Sequence, residues 1–182
     1  MQKSHRIAAP SGERPCSRLQ NGFTLVELAV VVAVVAILAA VAYPALQSVL
    51  NANRLNSHAN EFLSSLQLAR SEAIRRNASV SVCGSENGTT CGGAWRYWLT
   101  VLQSDGSLLV VQEVKPPVQA SSAAERITFR ANGLADSVDS ATVILCIPTS
   151  SPADNQRLVG LSSVSRISNE SADGGGTCPE QG

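Results

Sequence analysis

The sequence predicts an α+β fold: a long N-terminal helix, membrane-spanning in its first half and amphipathic in its second, packed against an antiparallel β-sheet domain. Three observations carry this. Residues 23–43 are an apolar run with a single charge, Glu27. Residues 45–77 hold a helical period, with apolar residues returning every three or four positions. From residue 78 onward, short β-type runs alternate with turn residues.

Residues 1–22 are polar, contain Pro10, Gly12 and Pro15, and read as a disordered leader. They carry Lys3, Arg6, Arg14 and Arg18 against Glu13, a net charge of +3. The 160 residues that follow carry 10 basic and 13 acidic side chains, a net charge of −3. A basic segment ahead of the first apolar run predicts that this end stays cytoplasmic, with the bulk of the chain across the membrane. The acidic balance excludes a whole-chain electrostatic argument for nucleic acid, which would need a local basic patch.

Phe23 to Tyr43 is 21 residues. As a helix that is roughly 32 Å, the hydrocarbon thickness of a bilayer. A carboxylate inside such a span costs about 2.5–3.5 kcal/mol on insertion scales, so Glu27 is expected to have a function or a partner. A secretory signal has an apolar region of roughly 7–15 residues with its cleavage site afterwards. Here the run is longer and Gly22 precedes it. A plain signal anchor has no need of Glu27. The segment is rich in valine, which lowers intrinsic helix propensity, but in a bilayer a helix is how a single segment satisfies its own backbone. Pro44 follows and predicts a kink or local melting.

In the second half of the helix, Leu55, Ala59, Phe62, Leu66, Ala69 and Ala73 form one stripe. Arg54, Asn56, Ser57, Asn60, Glu61 and Ser64 lie mostly off it, and His58 reads as a solvated residue on the polar side. Arg75 and Arg76 suit the negative end of the helix dipole, and Asn77 is expected to end the helix. Strands are expected near Ser79–Cys83, Trp95–Leu102, Leu108–Glu113, Arg126–Arg130, Ala141–Ile147 and Arg157–Leu161, with a short one at Val164–Ser168. Ser104-Asp105-Gly106-Ser107 and Asn132-Gly133 read as turns, Lys115-Pro116-Pro117 as a strand terminator, and Gly174-Gly175-Gly176 as a flexible linker. One antiparallel sheet on the 45–77 helix is the economical arrangement.

Cys16 lies in the leader, leaving Cys83, Cys91, Cys146 and Cys178, an even number suited to an oxidising compartment. Four cysteines allow three pairings. The favoured one is Cys83–Cys91, closing a short Gly-rich loop, with Cys146–Cys178 pinning the C-terminal tail. Loop entropy gives about 2.6 and 3.7 kcal/mol for the two. Zinc fits poorly, since the spacings are not CxxC and no histidine lies near.

Gly22-Phe23-Thr24-Leu25-Val26-Glu27-Leu28 and the apolar helix after it resemble the N-terminal signature of type IV pilins and type II secretion pseudopilins. The resemblance implies cleavage by prepilin peptidase between Gly22 and Phe23 and N-methylation of Phe23. It includes a proline at the place of Pro44. It implies a cleaved leader at 1–22, a transmembrane and filament-bundling helix at 23–50, and a periplasmic globular domain at 51–182. It also implies that Glu27 pairs with the N-terminal amine of a neighbouring Phe23 when helices bundle.

A second stretch, Leu68-Ala69-Arg70-Ser71-Glu72-Ala73-Ile74-Arg75-Arg76-Asn77, resembles the end of the long helix in the GspH/FimT family of minor pilins and pseudopilins. Val80-Ser81-Val82-Cys83, Cys91, Trp95 and Trp98 fit that family's first strands. The implied function is a structural subunit of a type IV pilus or type II secretion pseudopilus, in its initiating tip complex. The implied partners are other minor and major pilins or pseudopilins and the bacterial inner membrane.

Some family members from DNA-uptake pili bind DNA through Gly-Arg-x-Arg near the C-terminal strand. Ser165-Arg166-Ile167-Ser168 keeps one arginine of that motif and not the glycine, and Glu170 and Asp173 follow. Arg166 and Arg157, with Arg126 and Arg130, are the candidates for a DNA patch, although nothing in the sequence makes them converge. A DNA-binding minor pilin of a competence pilus is the alternative function. The chain has no Gly-x-Ser-x-Gly elbow, phosphate loop or His-Glu-x-x-His helix. No catalytic residue, cofactor or metal is expected, and Trp95, Tyr97 and Trp98 read as core or subunit contacts.

Overall fold

The structure is a computed structural model and describes residues 23–136, 141–161 and 165–180. The leader 1–22, and with it Gly22 and Cys16, lies outside the described residues. Helix α1 runs Leu25–Arg76. Eight strands follow: β1 Val80–Ser85, β2 Tyr97–Leu102, β3 Leu108–Glu113, β4 Gln119–Ser122, β5 Arg126–Phe129, β6 Thr142–Cys146, β7 Gln156–Leu161 and β8 Ile167–Ala172. The chain divides into two compact units, Met1–Ala40 and Val41–Gly182.

In the first unit every described residue is exposed, Leu25 to 84% and Ile37 to 67%. An apolar surface of that extent is not a water-facing surface; it calls for lipid or another helix. This is the one helix among the described residues long and apolar enough to cross a membrane.

In the second unit the expected stripe is the buried face. Leu55, Ala59, Phe62, Leu66, Ala69 and Ala73 are all fully buried. Phe62 meets Trp95 and Trp98 edge-on, at centroid distances of 6.0 and 5.4 Å. Around this stripe close Val80 and Val82 of β1, Ile127 and Phe129 of β5, and Val143 and Leu145 of β6, in one apolar core. His58 is a correction. It is only 9% exposed, and its ring lies edge-on to Trp98 at 6.3 Å. Ser65 is buried with it, because the Trp98 indole N–H donates to the Ser65 hydroxyl at 3.0 Å.

The expected single sheet is two four-stranded antiparallel sheets, ordered β3-β2-β1-β5 and β4-β6-β7-β8. β4 is the strand that sequence reasoning missed. The chain crosses between the sheets at each step from β3 to β6, so its sequential order hides the partition. The helix is tied to both by polar contacts. Gln112 of β3 donates to Glu61 at 3.2 Å, and Arg157 of β7 donates to Asn56 at 2.8 Å. Gly84 lies on the Trp95 ring, which an added Cβ would meet at 2.7 Å, so the indole needs glycine beneath it.

Helix α1 runs through Pro44 without interruption, so the local melting expected there is absent. A proline withdraws one donor from the ladder, and the bonds on either side persist. At the other end, Asn77 adopts a left-handed φ of 50°. Ala78 N donates to Ala73 O and Asn77 N to Ile74 O, the paired bonds that close a helix C-terminus. The β2–β3 turn uses Gly106 at φ +72°, with Asp105 accepting from Ser107 N at 3.0 Å.

Arg75 and Arg76 do more than face the dipole. Both lie 2.6 Å from the Glu72 carboxylate. Hydrogen bonds from Arg75 and then Arg76 hold the Glu72 carboxyl down from 4.5 to about 2. A depressed carboxylate stabilises the fold above its unfolded value and loses that contribution as pH falls through the folded one. Glu72→Gln is therefore expected to lower the melting temperature modestly at neutral pH. It should also flatten the acid limb between pH 4.5 and about 2. Thermal melts of the two proteins across that range, at low and high salt, check this, and salt should shrink the difference.

Candidate assembly site

The residues singled out at the N-terminus occupy the start of α1. Phe23 is exposed, and Thr24 caps the helix. Its hydroxyl accepts from Glu27 N at 3.2 Å, and its carbonyl accepts from Leu28 N at 3.1 Å. Glu27 thus stands at the third helical position, near the positive end of the helix dipole. Sequence reasoning took Thr24 only as part of the N-terminal signature and not as the helix cap. Its signal was present as Thr-x-x-Glu before an apolar run. The chemical content is one carboxylate on the first turn of an exposed apolar helix, and the next charged residue along the chain is Arg54, about seven and a half turns on.

The four cysteines form two bridges, Cys83–Cys91 and Cys146–Cys178. The first anchors the 86–92 loop to β1, where Asn87 Oδ1 accepts from Thr89 N and Thr90 N. The second ties the tail to β6. Asn155, fully buried, completes that tie. Its Nδ2 donates to Ile147 O and Thr177 O, and its Oδ1 accepts from Gly174 N at 2.7 Å. Gly174–Gly176 is accordingly an ordered turn held from both sides, where the sequence suggested a flexible linker. No local pattern marks Asn155, because its partners lie in two distant segments.

The arginines considered for DNA are not gathered. β7 and β8 pair Arg157 with Ser171 and Leu161 with Ile167. Arg157 and Arg166 therefore sit toward opposite ends of one strand pair, about 13 Å or more apart along it. Arg157 is committed to Asn56, Asp154 O and Gln156 O. Arg130 is paired with Asp136, and Arg126 lies in the other sheet. Arg166 borders a recess with Arg70. Val164, part of the expected last strand, lies outside the described residues; β8 begins at Ile167. No cluster of three metal-ligating side chains is present among the described residues.

A capped apolar helix bearing one carboxylate, continued into a helix buried by two antiparallel sheets, defines a pilin-like subunit. Residues 58–165 match the family described as type II transport protein GspH, and residues 17–43 match the prokaryotic N-terminal methylation motif. The chain belongs to the GspH family of minor pilins and pseudopilins. Among solved structures it is similar to the type IV minor pilin FimU of Pseudomonas aeruginosa PAO1, at 25% identity and TM-score 0.53, covering 65% of this chain and 89% of that one. It also shares the fold of EpsH, the minor pseudopilin from the Type 2 Secretion System of Vibrio cholerae. There the identity is 14% and the TM-score 0.50, over 65% of this chain and 97% of that one. No curated protein matches the chain.

Proposed function

We propose that this protein is a non-catalytic assembly subunit, held in the inner membrane by residues 23–50 with its globular domain in the periplasm. Prepilin peptidase cuts it between Gly22 and Phe23 and methylates Phe23. The product is built with other minor and major subunits into the initiating tip complex of a type IV pilus or type II secretion pseudopilus. The observation that carries this reading is the pairing of an entirely exposed apolar helix bearing Glu27 with a separately closed core. Such a chain is incomplete alone, and its helix finds cover in lipid or in a bundle of like helices. FimU, to which the chain is similar, is a minor pilin, which supports a scarce, specialised place in the fibre.

A subunit of the tip is needed to start fibres and not to lengthen them. Deleting the gene is expected to reduce the number of fibres while leaving their length distribution unchanged. In the parent strain, quantitative mass spectrometry of sheared fibres should find the chain far below the major subunit. Copy numbers comparable to the major subunit, or short fibres at normal number, would refute the tip placement.

A further inference from the structure

A recess of about 330 Å³ opens between the middle of α1 and the start of the β3–β4 connection. Arg54, His58, Glu61, Gln112 and Lys115 line it. Three features set its chemistry. First, His58 is nine-tenths buried, and its Nδ1, withdrawn from water, has no hydrogen-bond partner. Glu61 Oε2 lies 3.3 Å away, off the line of a hydrogen bond. Second, Arg54 and Lys115 come to the rim from different elements, and both are exposed. Neither forms an ion pair among the described residues, where the pairs are those of His58, Arg75, Arg76 and Arg130. Third, the one carboxylate in the wall is already engaged. Glu61 Oε2 accepts from Gln112 and Oε1 from Ser57, at 3.2 and 3.3 Å.

The wall therefore holds a surplus of positive charge: two uncommitted cations at the rim against one engaged carboxylate. Exposed cations with no acidic partner beside them leave a place for one, and a carboxylate supplies it, meeting Arg54 and Lys115 in charge-assisted contacts above the buried His58. Repulsion from Glu61 is offset by the same two cations. The recess is polar and open on the flank of the folded unit, unlike the enclosed apolar pockets that hold small molecules.

We propose that this recess receives an aspartate or glutamate side chain of a neighbouring subunit in the fibre. The proposal rests on the reading of the chain as a fibre subunit. It adds a charge-selective contact on the globular unit, separate from the one at Glu27.

The test uses the full chain in its own cell, with a photoreactive residue at Ser57, an exposed position on the lip. The expected result is a cross-link to another pilin-type subunit, mapped to a segment that contains an acidic residue. Arg54→Glu with Lys115→Glu should lower its yield about tenfold or more, and Lys115→Gln alone should lower it partially. Reversing the mapped acid to lysine on the partner should restore the yield with the doubly reversed chain. Retained disulfides and protease resistance establish that each variant folds. An unchanged yield in the folded double variant, a mapped segment with no acid, or failure of the reversal to rescue overturns the site. Fibre content in the same cells separates the two readings. A chain absent from fibres overturns both, whereas a chain present in fibres without a charge-dependent cross-link overturns this site alone.

Discussion

Glu27→Leu is expected to enter the membrane and be cleaved like the parent chain, yet to be nearly absent from fibres. The substitution removes the only charge between Phe23 and Tyr43, so insertion becomes easier, by at most the roughly 2.5–3.5 kcal/mol of a charge at the centre of a span. Assembly suffers for the opposite reason. We propose that in a bundle of helices the carboxylate of one subunit faces the amine of a neighbour's Phe23 in a medium of low dielectric, where attraction between charges is strong. Removing one member of such a buried pair leaves the other uncompensated, at a cost of about 3–5 kcal/mol. That corresponds to incorporation falling by roughly two to three and a half orders of magnitude at about 1.4 kcal/mol per tenfold. The ratio of chain in sheared fibres to chain in membranes measures this. A leucine variant that fully complements a null strain would remove Glu27 from the account.

Phe62→Ala is expected to cost about 3–5 kcal/mol of folding stability. Phe62 is fully buried and stands edge-on between Trp95 and Trp98, so truncation leaves two indoles facing a void. Against a total of about 5–15 kcal/mol for a domain, that change alone brings the folded unit close to its limit. Ile74→Ala, on the same helix but 54% exposed, should stay within about 1 kcal/mol. Denaturant titrations of the disulfide-intact chain compare the two. Near-equal midpoints would mean that the helix stripe does not organise the core.

The contrast between those two positions marks what was legible in the sequence. A stripe at helical period reports which face an apolar helix buries, and all six stripe residues are buried. Periodicity says nothing about polar residues drawn inside by a specific partner. Ser65 is buried because the Trp98 N–H needs an acceptor, and His58 because the same indole lies beside it. Gln119-Ala120-Ser121-Ser122 contains no β-branched or aromatic residue. It becomes a strand only through its pairing with β6, which no local propensity encodes. The partition into two sheets was hidden for the same reason, since strand order is a long-range property. Gly174–Gly176 looked flexible by composition, but Asn155 holds Gly174 from 19 residues away.

At the candidate site, Glu27 was legible because one charge in an apolar run stands out against its surroundings. Thr24 was passed over because its role is a backbone contact three residues on. The arginines near the C-terminus were visible as a composition, but whether charges converge depends on register. The register of β7 and β8 keeps Arg157 and Arg166 apart.

The most direct test of the central claim is the intact mass and N-terminal sequence of the protein extracted from membranes of a strain with active prepilin peptidase. The account predicts a chain that begins at Phe23 and carries one methyl group on its amine. In a strain without the peptidase it predicts a chain that still holds residues 1–22. A chain that keeps residues 1–22 in both strains, or one cut after the apolar segment, would contradict it.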